Sequence, residues 1–237
     1  RPRRQAEHGR GARRECLIGQ IARLNPDLAQ PLLPPRNLRT KMFKVLATCL
    51  LISAASVAGA QSVFAVDTGA TVLTWTGKKV MGQHQGHIHV QHGSVLWRAT
   101  GLHGCEVVID MNSITIIGMD PEGETQLGNH LRSADFFNVR KFRTASFKAT
   151  HIAKNSSTVA GGPNYSVTGD LTIKGITQPV TFPVRAWQEK NGVRAQGTMV
   201  FDRTLYGIKY RSGSFFDALG DKVINDQVEI AFDLLAR

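Results

Sequence analysis

Cysteine is scarce: the 237 residues hold three, at positions 16, 49 and 105. Only Cys105 follows residue 60, so residues 61–237 cannot form an internal disulfide and must be held by core burial, for which 177 residues are enough. Catalytic signatures are also missing. There is no Gly-x-Ser-x-Gly, no His-Glu-x-x-His, no glycine-rich phosphate loop and no Cys-His pairing that would serve a nucleophile. Residues 61–237 show no internal repeat and no low-complexity tract. The apolar run from Val45 to Val57 falls short of the roughly 20 residues that a permanent membrane-spanning helix needs.

That run has another reading. Met42-Phe43-Lys44 supplies a basic start, Val45 to Val57 an apolar centre, and Ala58-Gly59-Ala60 a small-x-small ending, the three parts of a secretory signal peptide. Cleavage is expected after Ala60, with Ala65 as a second candidate. Leu46-Ala47-Thr48-Cys49 departs from a lipoprotein signal, because Thr precedes the Cys and only two apolar residues separate Lys44 from Ala47. A signal peptide belongs at an N-terminus, so translation is expected to begin at Met42, with residues 1–41 an upstream extension. The alternative is a basic arm, which the lack of aromatic residues among the arginines and of a periodic face disfavours.

This division decides what the charge means. The chain carries 29 Lys+Arg against 18 Asp+Glu, but residues 1–60 hold 11 and 3 of these, leaving 18 against 15. A nearly balanced remainder gives no electrostatic reason to expect nucleic acid as a partner.

From residue 61 onward, alternation dominates. Tyr165, Val167, Gly169, Leu171 and Ile173 alternate with polar residues, as do Val180 to Ala186, Val193 to Phe201 after the Asn191-Gly192 turn, and Val228 to Leu234. Stretches 72–79, 86–91, 94–100, 106–117 and 142–152 are rich in residues that favour strands between Gly-containing turns. With few helical segments between strands, a parallel α/β sheet is disfavoured, and closure of a meander into a barrel removes exposed edges. The fold expected is all-β, a sandwich or a closed barrel, and long one-faced strands in chain order favour a single antiparallel up-and-down barrel over residues 61–237. One segment, around residues 123–137, departs from the pattern. Leu127, Leu131, Ala134 and Phe137 recur at helical spacing, and a short helix followed by Phe136 and Phe137 would lid an open barrel end. By strand parity or lid position, Phe136, Phe137, Phe147, Val167, Leu171, Phe182 and Phe201 are expected to bound one apolar interior.

Several blocks in order carry a resemblance: Trp75, His84-Gln85-Gly86-His87-Ile88, Asp110 to Ile114, His130-Leu131-Arg132-Ser133-Ala134-Asp135-Phe136-Phe137, Gly169 to Thr177, and Arg203 to Gly207. Together they resemble the YceI family of lipocalin-like, polyisoprenoid-binding periplasmic proteins, over essentially all of residues 61–237. The resemblance implies an extended eight-stranded antiparallel barrel with a long apolar channel for a prenyl chain or similar amphiphile, held for transport, storage or sequestration. With the export signal, it implies a periplasmic or secreted location, an isoprenoid or other lipid-like partner and transient contact with the envelope membrane; no cofactor is expected, and the lack of a complete catalytic constellation favours a carrier over an enzyme. His87, where the family commonly has a small or polar residue, is a departure.

For a head group the candidates are His130 and Arg132 in the lid and Arg203, which falls at the family's matching arginine. Arg203, Lys209 and Arg211 around a Gly-containing turn would suit a diphosphate. Asp120, Glu122 and Glu124 read as a solvated loop or a helix N-terminus. His84, His87, His89 and His92 raise a metal alternative, in which a metal- or histidine-dependent enzyme acts on the same class of lipid. By parity His87 and His89 share one strand face and His84 and His92 the other, so no more than a pair converges where a metal site wants three or four ligands.

N-terminal sequencing of the exported protein is expected to begin at or near Gln61. A start before Met42 would restore the basic-arm reading.

Overall fold

Alternating apolar and polar side chains build nine antiparallel strands: β1 (Gln61–Ala65), β2 (Val72–Lys79), β3 (Gly82–Arg98), β4 (Gly101–Asp110), β5 (Thr144–Lys154), β6 (Tyr165–Ile173), β7 (Ile176–Glu189), β8 (Gly192–Asp202) and β9 (Ile224–Ala236). Among the described residues one α-helix, α1 (Pro121–Arg132), interrupts them. These elements come from a computed structural model, which describes residues 61–155 and 159–237. The expected signal peptide, 42–60, and the extension, 1–41, lie outside the described residues.

The strand order β3-β2-β9-β8-β7-β6-β5-β4 returns on itself because β4 also pairs with β3. This is the eight-stranded closed barrel expected. β1 and β2 occupy one position in the ring. β1 pairs with the far half of β3 (Gln61↔Arg98 to Ala65↔Ser94), and β2 with the near half (Leu73↔Ile88 to Lys79↔Gly82). Val66 bridges Ala236 at the end of β9, so the break at residues 66–71 leaves the ring intact.

β3 is the element that closes the sheet, and here the sequence misleads. The stretches 86–91 and 94–100 belong to one 17-residue strand with a register shift between Val90 and His92. A bulge adds a residue on one strand and exchanges the faces beyond it. Inward parity therefore moves from Ile88 and Val90 to Val95, all buried, and His92 is exposed instead of sharing a face with His84. The strand expected over 106–117 also ends early. The Asp110 carboxylate accepts from Asn112 N–H at 2.9 Å and starts a 3-10 turn, Met111–Ser113, a local bond that competes with the ladder. Residues 114–117 then run back along β3, with Thr115 N–H donating to His87 O and Ile117 N–H to Gln85 O.

α1 starts where its caps dictate. Asp120 accepts from Gly123 N–H at 2.9 Å, Pro121 occupies the first turn, and Glu122 and Glu124 face the positive end of the helix dipole. The carboxylate cluster is thus a helix N-terminus. The helix stops at Arg132, short of the expected residue 137, because Ser133 is extended and its hydroxyl accepts from Asp135 N–H. Phe136 and Phe137 sit in the turn that follows, with Phe137 N–H bonded to Leu131 O. Phe136, Phe147, Val167, Leu171, Phe182 and Phe201 are buried in one core, and Phe137 packs half-buried against it.

Two glycines on the inward parity make that core possible. A Cβ on Gly169 would lie 2.5 Å from the Phe147 ring, and one on Gly197 would lie 2.7 Å from the Phe232 ring. The bare backbone of β6 and β8 lets the rings pack directly against it. Phe147, Phe182 and Phe232 then form a chain of ring contacts, with centroids 5.3 and 5.8 Å apart.

Candidate functional site

The inward faces do not fill the barrel. Ile109, Val228 and Ile230 point inward by parity yet are only half-buried, since they border a cavity of about 490 Å³ at the α1 end. A smaller void of about 90 Å³ lies beyond it, and Ile109, Met199 and Ile230 border both. The larger volume is within the range of small-molecule sites.

The expected apolar set divides between these spaces. Phe136, Phe137, Leu171 and Phe201 line the larger cavity, with α1 contributing Leu127, His130 and Leu131 as its lid. Phe147, Val167 and Phe182 line the smaller void. Cys105 faces the smaller void as well, and burial, with Glu106 adding to it, pushes its thiol up to about 12. It is therefore a neutral, small apolar group and not a nucleophile at neutral pH. Ile230 and Met199 sit on alternating faces that the sequence displays, so parity alone could have found them.

The mouth is cationic. Lys79 at the end of β2, Arg211, and Lys222 before β9 border the cavity, together with Asp221 and the half-buried His84. Lys79, Arg211 and Lys222 make no ion pair among the described residues, whereas Lys78 is paired with Glu229. Burial, and then Lys79, depress the His84 pKa below its ordinary value. His84 is thus neutral near pH 7 and adds charge to the mouth only on acidification. Lys79 and Lys222 carry no sequence signal. The β2–β9 register, which places Lys79 opposite Ile224, brings them together.

Of the head-group candidates, His130 reaches the cavity. Its ring stands edge-on between Phe136 and Tyr210, with centroids at 5.0 and 4.7 Å, and its Nε2 lies 3.1 Å from Asp135 Oδ2. Arg132 turns away from the cavity to donate to the carbonyls of Ile114 and Asn112, tying the lid to the 110–117 segment.

Arg203 is 2 % exposed. Its guanidinium donates to the carbonyls of Asn225, Ile208, Tyr210 and Ile224 at 2.9–3.0 Å, and to Asp226 Oδ1 at 3.1 Å. All five donors of a guanidinium are thereby engaged. Arg203 borders the cavity as a staple between the 203–210 turn and the start of β9, with no donor left to offer a head group. Tyr206, packed edge-on against Phe201 at 5.6 Å, supports the same turn.

The histidines do not assemble. His87 Nδ1 lies 3.3 Å from Thr74 Oγ1, His89 and His92 are exposed, and His84 faces the cavity mouth. Among the described residues, no three of His, Cys, Asp or Glu converge on a point that could hold a metal ion.

The family model of the YceI-like domain matches residues 64–236, from within β1 to the end of β9. The chain belongs to the YceI-like family. Curated relatives of this YceI-like chain include UPF0312 proteins of Yersinia pestis, 40 % identical over 75 residues, and of Serratia proteamaculans, 45 % identical over 56 residues. These matches span 33 % and 26 % of the relatives and 32 % and 24 % of this chain. Among solved structures, Burkholderia cenocepacia BcnA is 24 % identical with a TM-score of 0.56, matched over 73 % of this chain and 99 % of its own. A polyisoprenoid binding domain from Saccharophagus degradans is 16 % identical with a TM-score of 0.50, over 73 % and 97 % respectively. At these identities the structural likeness concerns the fold.

Replacing Arg203 by Ala removes the cation that pairs with Asp226 Oδ1 and the donor to four carbonyls, and is expected to cost about 3–5 kcal/mol of stability. Denaturant unfolding of Arg203→Ala checks this. Unchanged stability with weakened ligand binding would return Arg203 to the head-group role.

Proposed function

We propose that this protein is a non-catalytic carrier of a long apolar, lipid-like molecule, a polyisoprenoid or a comparable amphiphile, in the bacterial envelope. The observation that carries the reading is the cavity of about 490 Å³ lined by Leu127, Phe137, Leu171, Val228 and Ile230 and opening at a cationic mouth. An apolar enclosure stabilises a tail by removing it from water, at roughly 25 cal/mol per Å². Lys79, Arg211 and Lys222, with His130 at the lid, suit a polar or anionic head group at the entrance. The polyisoprenoid binding domain with the same fold supports the ligand class. The signal sequence read at residues 42–60 supports export, after which residues 61–237 act as one domain in the periplasm or outside the cell.

Ile230→Trp tests the carrier reading, since Ile230 faces the larger cavity and the smaller void at once. Binding of a fluorescent farnesyl phosphate and the thermal midpoint are measured on the same sample. The expected outcome is at least a tenfold loss of affinity, about 1.4 kcal/mol, with little change in midpoint. In a filled core the indole would overpack and cost about 1–3 kcal/mol, which is several degrees for a domain of this size. A large fall in midpoint would contradict the carrier reading.

A further inference from the structure

The rim of the cavity holds a cluster of apolar side chains that neither the barrel nor the ligand cavity uses. Val80 and Met81 form the tip of the β2–β3 hairpin, and at 74 % exposure Met81 is the most exposed large apolar side chain among the described residues. Phe215 and Phe216 are adjacent in sequence and about half exposed, at 47 % and 50 %. Isolated exposed apolar residues are ordinary, but several carried on linked segments at one rim mark an interaction surface.

The two parts of the set are joined by backbone bonds. Val80 N–H donates to Val223 O, Ile224 N–H to Arg211 O, and the N–H groups of Phe215 and Phe216 to Ser212 O. The hydroxyls of Ser212 and Ser214 both donate to Asp226 Oδ2, the carboxylate that also receives Arg203. The loop bearing the two phenylalanines is therefore tied at its base to the stapled turn, and its tips project from a fixed platform. Ile117, bonded to Gln85 of the same hairpin, and Met119 extend the exposed rim.

Cations surround this set. Lys79, Arg211 and Lys222 border the mouth, and Lys209 Nζ lies 4.2 Å from the Phe215 ring centroid. The acidic side chains within the same loop are Asp217 and Asp221. Apolar tips ringed by Lys and Arg match one kind of partner well: a bilayer surface, where aromatic and Met side chains enter the acyl boundary and the cations meet anionic head groups.

We propose that the mouth end of the barrel docks on membranes that contain anionic phospholipid, through Met81, Phe215, Phe216 and Lys209. Docking would press the cavity entrance against the bilayer, so that an apolar tail passes between membrane and barrel without crossing water. The delivery role rests on the carrier reading. The docking surface itself does not.

The test uses residues 61–237, which close a complete barrel around their own core. Sedimentation is measured with vesicles of equimolar phosphatidylcholine and phosphatidylglycerol, and with phosphatidylcholine alone. Met81→Asp/Phe215→Asp/Phe216→Asp and Lys209→Glu are compared with the parent, and none of the four positions borders the cavity. The parent is expected to sediment with the anionic vesicles and to be released between about 0.1 M and 1 M NaCl, as screening shortens from about 10 Å to about 3 Å. The triple variant is expected to lose at least about tenfold in partitioning, while binding farnesyl phosphate in solution as the parent does. No sedimentation of the parent, or equal sedimentation of parent and triple variant, overturns the docking surface and leaves the carrier reading standing. Vesicle binding that the triple variant abolishes, in a protein that takes up no farnesyl phosphate, supports the surface and overturns the carrier reading.

Discussion

Everything in this protein depends on the pairing of the second half of β3 with β4, which converts a curled sheet into a ring. Without that seam two edges would expose unpaired N–H and C=O groups, and the inward apolar parity of every strand would face water. The bulge at Val90/His92 lies where β3 leaves its ladder with β2 and takes up the one with β4. One extra residue reorients the strand there, and keeps apolar side chains inward on both sides of the change.

Closure alone would give a solid barrel. A chamber remains because of how the core side chains are distributed. At one end Phe147, Phe182 and Phe232 pack in contact, two of them over the glycines of β6 and β8, and leave a void of only about 90 Å³. At the other end, α1 spans the opening without filling it. The opening is held by a polar device: Arg203, buried and bonded to four carbonyls and one carboxylate, ties the turn after β8 to the start of β9. Desolvation lowers the Arg203 pKa while Asp226 and Asp202 raise it, in that order of size. The guanidinium still remains charged at any physiological pH, so the staple does not switch.

Sequence periodicity displayed β6, β7, β8 and β9 plainly, because their alternation is clean and their neighbours in the chain are their neighbours in the sheet. It displayed the lid helix through Leu127 and Leu131, but placed its end too late, since Ser133 and Asp135 redirect the backbone by local side-chain bonds. What it could not display was anything set by distant register. His92 changed faces through a bulge that no residue type announces. Arg203 looked like a ligand for phosphate because its true partners, carbonyls at 208, 210, 224 and 225, exist as a cluster only after β8 and β9 pair. Lys79 and Lys222, 143 positions apart, became neighbours through the pairing of β2 with β9.

The central claim is that the barrel encloses a lipid-like guest and does not merely contain space. Native mass spectrometry of the protein purified from its own producing cells, without detergent or organic solvent, addresses this most directly. The account predicts the polypeptide mass plus one discrete non-covalent adduct, which organic extraction removes and incubation with a polyprenyl phosphate restores. A polypeptide that carries no adduct on purification and takes up none on incubation would contradict it.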